Sequence, residues 1–130
     1  MSEIDQILEE EGFRSRPYQD TEGVWTIGHG ITHITEEESR AVVMMKLRVL
    51  RDRIRGQLHW YDSSPATVQN VLTHMAYQIG LHGMLQFNKT LSHLVNQDYR
   101  AASVEMLDSK WALQTPERAK RLSDRILSLA

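Results

Sequence analysis

The apolar positions of this chain recur mostly at helical spacing, except in one short stretch near the N-terminus. Ile4, Ile7 and Leu8 form a single stripe in the opening segment. Ser2 is a favourable N-cap and Gly12 a favourable C-terminal stop, so the pattern predicts a short first helix between them.

The next stretch alternates with a period of two, which is typical of strands. Two short runs, FRSRPYQ and VWTIG, flank the tetrapeptide DTEG, whose Asp and Gly stand where a type I turn prefers them. This pattern predicts a β-hairpin with strands near residues 14–19 and 24–28. Gly28 and Gly30 then favour a tight return into a third short strand around residues 31–34.

From Thr35 onward the apolar pattern is helical throughout. Thr35 is expected to cap a long helix over about residues 36–55, whose first turn is acidic and which Gly56 ends. The helices predicted beyond it are one from Ser64-Pro65 to Gly80, shorter ones near residues 89–96 and 98–108, and a last one that begins at Thr115-Pro116.

These elements predict an α+β fold that is mostly helical. We expect one domain over residues 1–130, made of a small antiparallel β-hairpin lobe, a long connecting helix and a helical C-terminal lobe. The β-containing lobe is expected at about residues 12–35, the connecting helix at about 36–55, and the helical lobe at about 64–130 together with the N-terminal helix.

Composition narrows the class of protein. The chain has 130 residues, 41% of them hydrophobic, and no cysteine, which excludes a disulfide scaffold, a thiolate metal site and a cysteine nucleophile. No apolar run is long enough for a transmembrane span or a secretory signal, so we expect no membrane insertion. The net charge of −2 hides an asymmetry, because residues 1–38 carry ten acidic side chains against two arginines.

Glu11 is the residue that most strongly suggests chemistry. On a helical wheel it continues the stripe of Ile4, Ile7 and Leu8, whereas its two acidic neighbours point away. On a buried face at a helix C-terminus, desolvation and the helix dipole would both raise the pKa of this carboxyl. A carboxyl that stays protonated near neutral pH is suited to be a general acid. The alternative is a solvated residue at a frayed helix end.

Asp20 opens the predicted turn, where Asp is favoured for purely local hydrogen bonding. The functional alternative is an ionised carboxylate that pairs with Glu11, since two carboxyls in different environments perform glycoside hydrolysis. Thr26 follows on the facing strand, where its hydroxyl could hold a water near Asp20.

Three blocks of sequence carry a family resemblance. Residues 11–28 contain Glu-Gly, then Tyr-Gln-Asp-Thr-Glu-Gly, then Thr-Ile-Gly; residues 76–80 and 87–91 form a second block, and residues 109–121 a third. In this order they resemble the phage lysozyme family typified by the T-even bacteriophage enzyme, glycoside hydrolase family 24. The chain departs from that family in being shorter between Thr32 and Thr35, and in its order Gly-His-Gly-Ile over residues 28–31.

The resemblance implies a lysozyme-like fold and roles for individual residues. Glu11 would be the general acid that protonates the glycosidic oxygen, Asp20 the base or electrostatic partner that activates water, and Thr26 the residue that places that water. Arg118 is a candidate cation facing Glu11. The residues that fall where the family lines its saccharide groove are Thr32, Tyr77, Thr90 and Glu105.

The implied function is that of an endolysin-type muramidase, which cleaves the β-1,4 bond between N-acetylmuramic acid and N-acetylglucosamine by an inverting mechanism. We expect a monomer that needs no cofactor and binds the peptidoglycan glycan strand. We expect it to be made in the host bacterial cytoplasm and to reach the periplasm and cell wall through a holin or another export route. The alternative is a lytic transglycosylase or a degenerate peptidoglycan-binding module; the presence of both Asp20 and Thr26 favours hydrolysis.

Two other classes of function are disfavoured. His29 and His33 are four residues apart, but they lie in predicted turn and strand, where that spacing does not create a metal site. Basic residues of the long helix spread around the wheel, Asp52 interrupts them, and no aromatic residues alternate with them, so we expect no nucleic-acid binding.

Overall fold

The computed structural model describes residues 2–130, which form a two-stranded antiparallel sheet and seven helices. This arrangement confirms the predicted α+β, mostly helical, lysozyme-like fold class. Within residues 2–130, no helix is both long and apolar enough to cross a membrane. The elements are α1 (Glu3–Glu11), β1 (Arg14–Gln19), β2 (Trp25–Gly28), α2 (Glu36–Gln57), α3 (Ala66–Leu85), α4 (Asn88–Val95), α5 (Tyr99–Leu107), α6 (Lys110–Gln114) and α7 (Pro116–Leu127).

The chain divides into two compact units, the first ending at Val43 and the second running over Met44–Ala130. The first unit contains α1, the hairpin and the beginning of α2; the second contains the rest of α2 and the other helices. The single domain over residues 1–130 stays a prediction.

The hairpin of the first unit is irregular in its middle. Tyr18 pairs with Thr26 near the turn, and Arg14 pairs with Gly28 at the other end, but the register shifts between these two pairs. Pro17 lies in the shifted stretch, and a proline there is expected because it has no N–H to offer the partner strand.

The predicted third strand is wrong. After β2 the chain makes one isolated bridge, in which the N–H groups of Ile27 and Ile31 each donate to the other's carbonyl at 2.8 and 2.9 Å. Thr35 already caps α2, so only three residues remain after Ile31, too few to extend the pairing. The N–H of Glu38 donates to Thr35 Oγ1 at 3.1 Å, and the N–H of Thr35 donates to Glu38 Oε1 at 2.9 Å, which confirms the predicted cap.

Three predicted helix boundaries need correction. Helix α2 continues past Gly56 to Gln57, because buried Ile54 and the ion pairs of Arg55 hold its last turn. Helix α3 begins after Pro65 rather than at it, since the Ser64 hydroxyl donates to the Tyr61 carbonyl instead of capping the helix. The third wrong boundary is Gly80, which was predicted to end α3.

Gly80 bends α3 without ending it. Its backbone adopts φ 84° and ψ 158°, outside the helical region, yet the helix resumes and runs to Leu85. The continuation is favoured because Met84, beyond the bend, is fully buried in the core. Helix α6, which the apolar pattern did not predict, begins after Ser109, whose hydroxyl accepts the N–H of Ala112 at 3.1 Å.

The hydrophobic core lies in the second unit. Tyr61 is completely buried there, and its hydroxyl is 2.6 Å from the hydroxyl of Thr73, so the one polar group of this large side chain is satisfied. The other buried apolar side chains of this core include Ile54, Val68, Val71, Leu72, Met75, Met84, Met106, Leu122 and Ile126.

Candidate active site

Glu11 is the last residue of α1. Ser2 and Asp5 form a reciprocal capping box at the start of this helix, and Gly12 ends it with φ 66° and an N–H that donates to the Leu8 carbonyl at 3.0 Å. The Glu11 side chain is exposed, as is the stripe that leads to it, so the prediction that Glu11 lies on a buried face is wrong. The physical reason is that the first unit has no core in which the apolar face of α1 could be buried, since Thr26 is the only buried residue among residues 2–43.

The Glu11 carboxyl lies against the turn that follows β2. A Cβ added at Gly30 would come within 2.8 Å of Glu11 Cδ and would overlap Glu11 Oε2. Beside this contact, the rings of Phe13 and His29 have centroids 5.2 Å apart at an interplanar angle of 43°. The segment that carries Glu11 therefore meets the turn at two neighbouring points.

Asp20 opens the hairpin turn as predicted. Its Oδ1 accepts two backbone N–H groups, from Glu22 at 2.8 Å and from Val24 at 2.9 Å. Its carbonyl accepts the N–H of Gly23 at 3.0 Å, which closes the turn. Within residues 2–130, Oδ2 of this exposed side chain accepts no hydrogen bond from the protein, so one carboxylate oxygen is available to a ligand or a water.

Thr26 and Thr32 differ in their surroundings although both lie in the first unit. Thr26 is only 6% exposed, and its hydroxyl donates to the Val24 carbonyl at 3.0 Å, which leaves the oxygen free to accept a hydrogen bond. Thr32 is exposed, with Oγ1 3.1 Å from His33 Nδ1.

Within residues 2–130, no three His, Asp or Glu side chains lie close enough together to ligate a metal ion.

Two of the predicted substrate residues line one cavity of the second unit. Thr90 in α4 is buried, Glu105 in α5 is half-buried, and both border a space of about 390 Å³ together with Trp111. Trp111 Nε1 donates to Gln78 Oε1 at 2.9 Å, and its ring meets that of Phe87 edge to face. This wall of the cavity is therefore held by a buried tryptophan, whose N–H is satisfied and whose ring packs against the half-buried Phe87.

Tyr77, the other predicted substrate residue of this unit, borders a different cavity of about 680 Å³. The tyrosine is half exposed, and Lys46 and Arg53 from α2 lie on the same cavity wall. Neither cation forms an ion pair among residues 2–130. The spread of basic residues around the wheel of the long helix did not single out Lys46 and Arg53. Their seven-residue spacing, which places both on one side of α2, was the available signal.

Arg118 is half-buried in the first turn of α7 and borders a third cavity together with Gln78. That Arg118 faces Glu11 stays a prediction.

Two titratable groups have shifted pKa values. Burial lowers the pKa of His74 below its ordinary value, and the positive charges of Arg118, Arg125 and Arg121 lower it further. In the first unit, the hydrogen bonds from Thr35 lower the pKa of the Glu38 carboxyl.

The family of the chain follows from comparison with known proteins. The family model described as phage lysozyme matches residues 8–126, nearly the whole chain. The chain belongs to the phage lysozyme family. This membership confirms the resemblance carried by the three sequence blocks, and it points to a lysozyme-type peptidoglycan hydrolase, a glycoside hydrolase whose substrate is peptidoglycan.

Individual relatives are distant in sequence. The pre-baseplate central spike protein Gp5 of Enterobacteria phage T4 is 28% identical over 98% of this chain, which spans 28% of the length of that protein. Probable T4-type lysozymes 1 and 2 of Dictyostelium discoideum are 26% and 24% identical, each over 91% of this chain and 89% of their own length. The two Dictyostelium relatives thus match along most of their own length, whereas Gp5 matches over a small part of its own.

Proposed function

We propose that this chain is a muramidase that hydrolyses the β-1,4 bond between N-acetylmuramic acid and N-acetylglucosamine in peptidoglycan. The observation that carries the proposal is that the phage lysozyme match includes Glu11, Asp20 and Thr26 in one continuous stretch. Two carboxyl groups are what the hydrolysis of a glycosidic bond requires, one as acid and one as base or electrostatic partner.

In this mechanism Glu11 donates a proton to the glycosidic oxygen as the bond breaks. Asp20 accepts a proton from the attacking water through Oδ2, because Oδ1 is already occupied by two backbone N–H groups. Thr26 accepts a hydrogen bond from the same water, since its own proton is donated to the Val24 carbonyl. The water attacks the face of the sugar opposite the leaving oxygen, so the anomeric configuration is inverted.

An inverting mechanism requires carboxyl groups about 6.5–9.5 Å apart, which leaves room for the water, whereas a covalent intermediate requires about 5–5.5 Å. Proton NMR spectra taken in the first minutes of a digestion identify the anomer formed. We expect the α-anomer from the β-linked substrate, and a β-anomer as the first product would refute the single displacement.

We assign glycan contacts to Thr32 in the first unit and to Tyr77, Thr90 and Glu105 in the second. The exposed aromatic face of Tyr77 suits the apolar face of a sugar ring, and the carboxylate of Glu105 suits sugar hydroxyl or amide groups. The buried hydroxyl of Thr90 lines the same cavity as Glu105. Alanine variants of these residues are expected to raise KM more than they lower kcat.

A lytic transglycosylase is the competing assignment. Such an enzyme needs the acid but no activated water, so retention of Asp20 and Thr26 supports hydrolysis. Mass spectrometry of digested peptidoglycan separates the two, because hydrolysis leaves a reducing N-acetylmuramic acid end and transglycosylation leaves an anhydro end lighter by one water. Anhydro products would refute the proposal.

In the cell, we propose that the enzyme acts as a monomer on the wall during bacterial lysis, and that a holin or another export route brings it there. Lysis of cells that produce the chain with and without a co-produced holin tests this role. Lysis that depends on both proteins is expected, and lysis independent of any export partner would refute it.

A further inference from the structure

The Glu11 side chain lies against Gly30, a residue without a side chain. A Cβ added at Gly30 would lie 3.2 Å from Glu11 Cγ and 2.8 Å from Cδ, and would overlap Oε2. Real Cβ atoms do not make contacts as short as the one to Cδ, so an alanine at this position would displace the carboxyl. The Glu11 side chain forms no hydrogen bond or ion pair among residues 2–130, so its exposed end is free to rotate away.

The turn that presents Gly30 is tightly fixed. The reciprocal bonds between Ile27 and Ile31 close it, and Gly28 and Gly30 both adopt positive φ, 64° and 72°. The contact of the Phe13 and His29 rings joins the same turn to the segment that follows Glu11. The backbone of the turn and the end of α1 are therefore held at a defined separation in which the carboxyl occupies the space beside Gly30.

We propose that Gly30 is a positioning residue for the Glu11 carboxyl: its lack of a side chain provides the space in which the proton donor is placed for the reaction. The inference rests on the proposed role of Glu11 as general acid. A displacement of a reacting group by about 1 Å costs on the order of 100-fold in rate. Because the displaced side chain can rotate into solvent, the same substitution has little additional effect on folding.

The first experiment measures kcat, KM and the unfolding temperature of Gly30→Ala. We expect kcat to fall about 100-fold with KM nearly unchanged, since the substitution moves the acid and not the groove. Gly23→Ala is the matched control for unfolding, because Gly23 also has positive φ, 78°, but no atom lies within 4 Å of its added Cβ. Both alanine variants should unfold at similar temperatures; a much lower value for Gly30→Ala would show a structural role and overturn the proposal.

The second experiment is a double-mutant cycle with Glu11→Asp, whose carboxyl carbon takes the place of Glu11 Cγ, 3.2 Å from the added Cβ, and which lacks the Cδ and Oε2 atoms that come closest to it. Gly30→Ala should cost about 100-fold in the wild-type background and clearly less in the Glu11→Asp background. Equal losses in the two backgrounds would overturn the positioning role while leaving the proposed function intact. An active Glu11→Gln enzyme would instead refute the role of Glu11 itself.

A readout independent of activity is the nuclear Overhauser effect between the Gly30 Hα protons and the Glu11 Hγ protons. The contact predicts a cross-peak in the wild-type protein. Its absence would contradict the geometry on which the proposal stands.

Discussion

Asp20 has a structural role in its turn and a proposed chemical role, and two substitutions separate them. Asp20→Asn keeps an oxygen in the Oδ1 position, so the hydrogen bonds from the N–H groups of Glu22 and Val24 are retained. Asp20→Ala removes both bonds. At roughly 0.5–1.5 kcal/mol for each bond, and toward the lower end because the turn is exposed, the alanine variant should lose about 1–2 kcal/mol of unfolding free energy. The asparagine variant should lose about 0.5 kcal/mol or less.

Activity should follow a different order. Both variants lack the carboxylate that accepts the proton of the water, so both should lose most of kcat on purified peptidoglycan, although only the alanine variant loses appreciable stability. Glu22→Gln is the matched control, since this neighbouring acid of the same turn is exposed and has no proposed role. The assay follows the release of reducing ends and, in parallel, unfolding in urea. An asparagine variant with wild-type kcat would show that Asp20 serves the turn alone.

Three further substitutions test the structural basis of the fold. Thr35→Ala removes the acceptor for the N–H of Glu38 and should cost about 1 kcal/mol of unfolding free energy in urea. Trp111→Phe removes the donor of the 2.9 Å bond to Gln78 and should cost about 1 kcal/mol in the same measurement. Burial and the arginines of α7 lower the pKa of His74, so the unfolded chain binds this proton more readily than the folded protein. The free energy of unfolding should therefore be highest above the ordinary pKa of histidine, and should decrease as the pH falls through that value toward the lower pKa of the folded state. The His74→Gln variant should show a weaker dependence of stability on pH. An unchanged dependence in this variant would contradict the role of His74.

Local patterns in the sequence predicted the parts of the fold that depend on a few neighbouring residues. The N-cap at Ser2, the turn at Asp20 and the cap at Thr35 each close within four residues, so residue type and spacing suffice. Gly12 also ends α1 as predicted.

Local patterns failed where burial or a distant contact decides the outcome. Glycine costs a helix only about 1 kcal/mol, so Gly56 did not stop α2 once Ile54 was buried beside it. Gly80 bends α3 without ending it, since Met84 reaches the core beyond the bend. The exposure of Glu11 follows from the lack of a core in the first unit, which no helical wheel reveals.

In the candidate site, too, the sequence predicted individual residues but not the contacts that depend on tertiary packing. Glu11, Asp20 and Thr26 could be selected from residue types and from a family resemblance. The contact of Glu11 with Gly30 could not, because it depends on the turn that Ile27 and Ile31 close. The shared cavity of Thr90 and Glu105 depends in turn on the packing of α4, α5 and α6.

The central claim is that Glu11 is the acid of a peptidoglycan hydrolase. The most direct test is mass spectrometry of the fragments released from purified peptidoglycan by the wild-type chain, by Glu11→Gln and by the matched variant Glu10→Gln on the same exposed helix. Fragments ending in reducing N-acetylmuramic acid are expected from the wild type and from Glu10→Gln, and none from a Glu11→Gln protein of unchanged stability. Release of the same fragments by Glu11→Gln, or no release by the wild type, would contradict the claim.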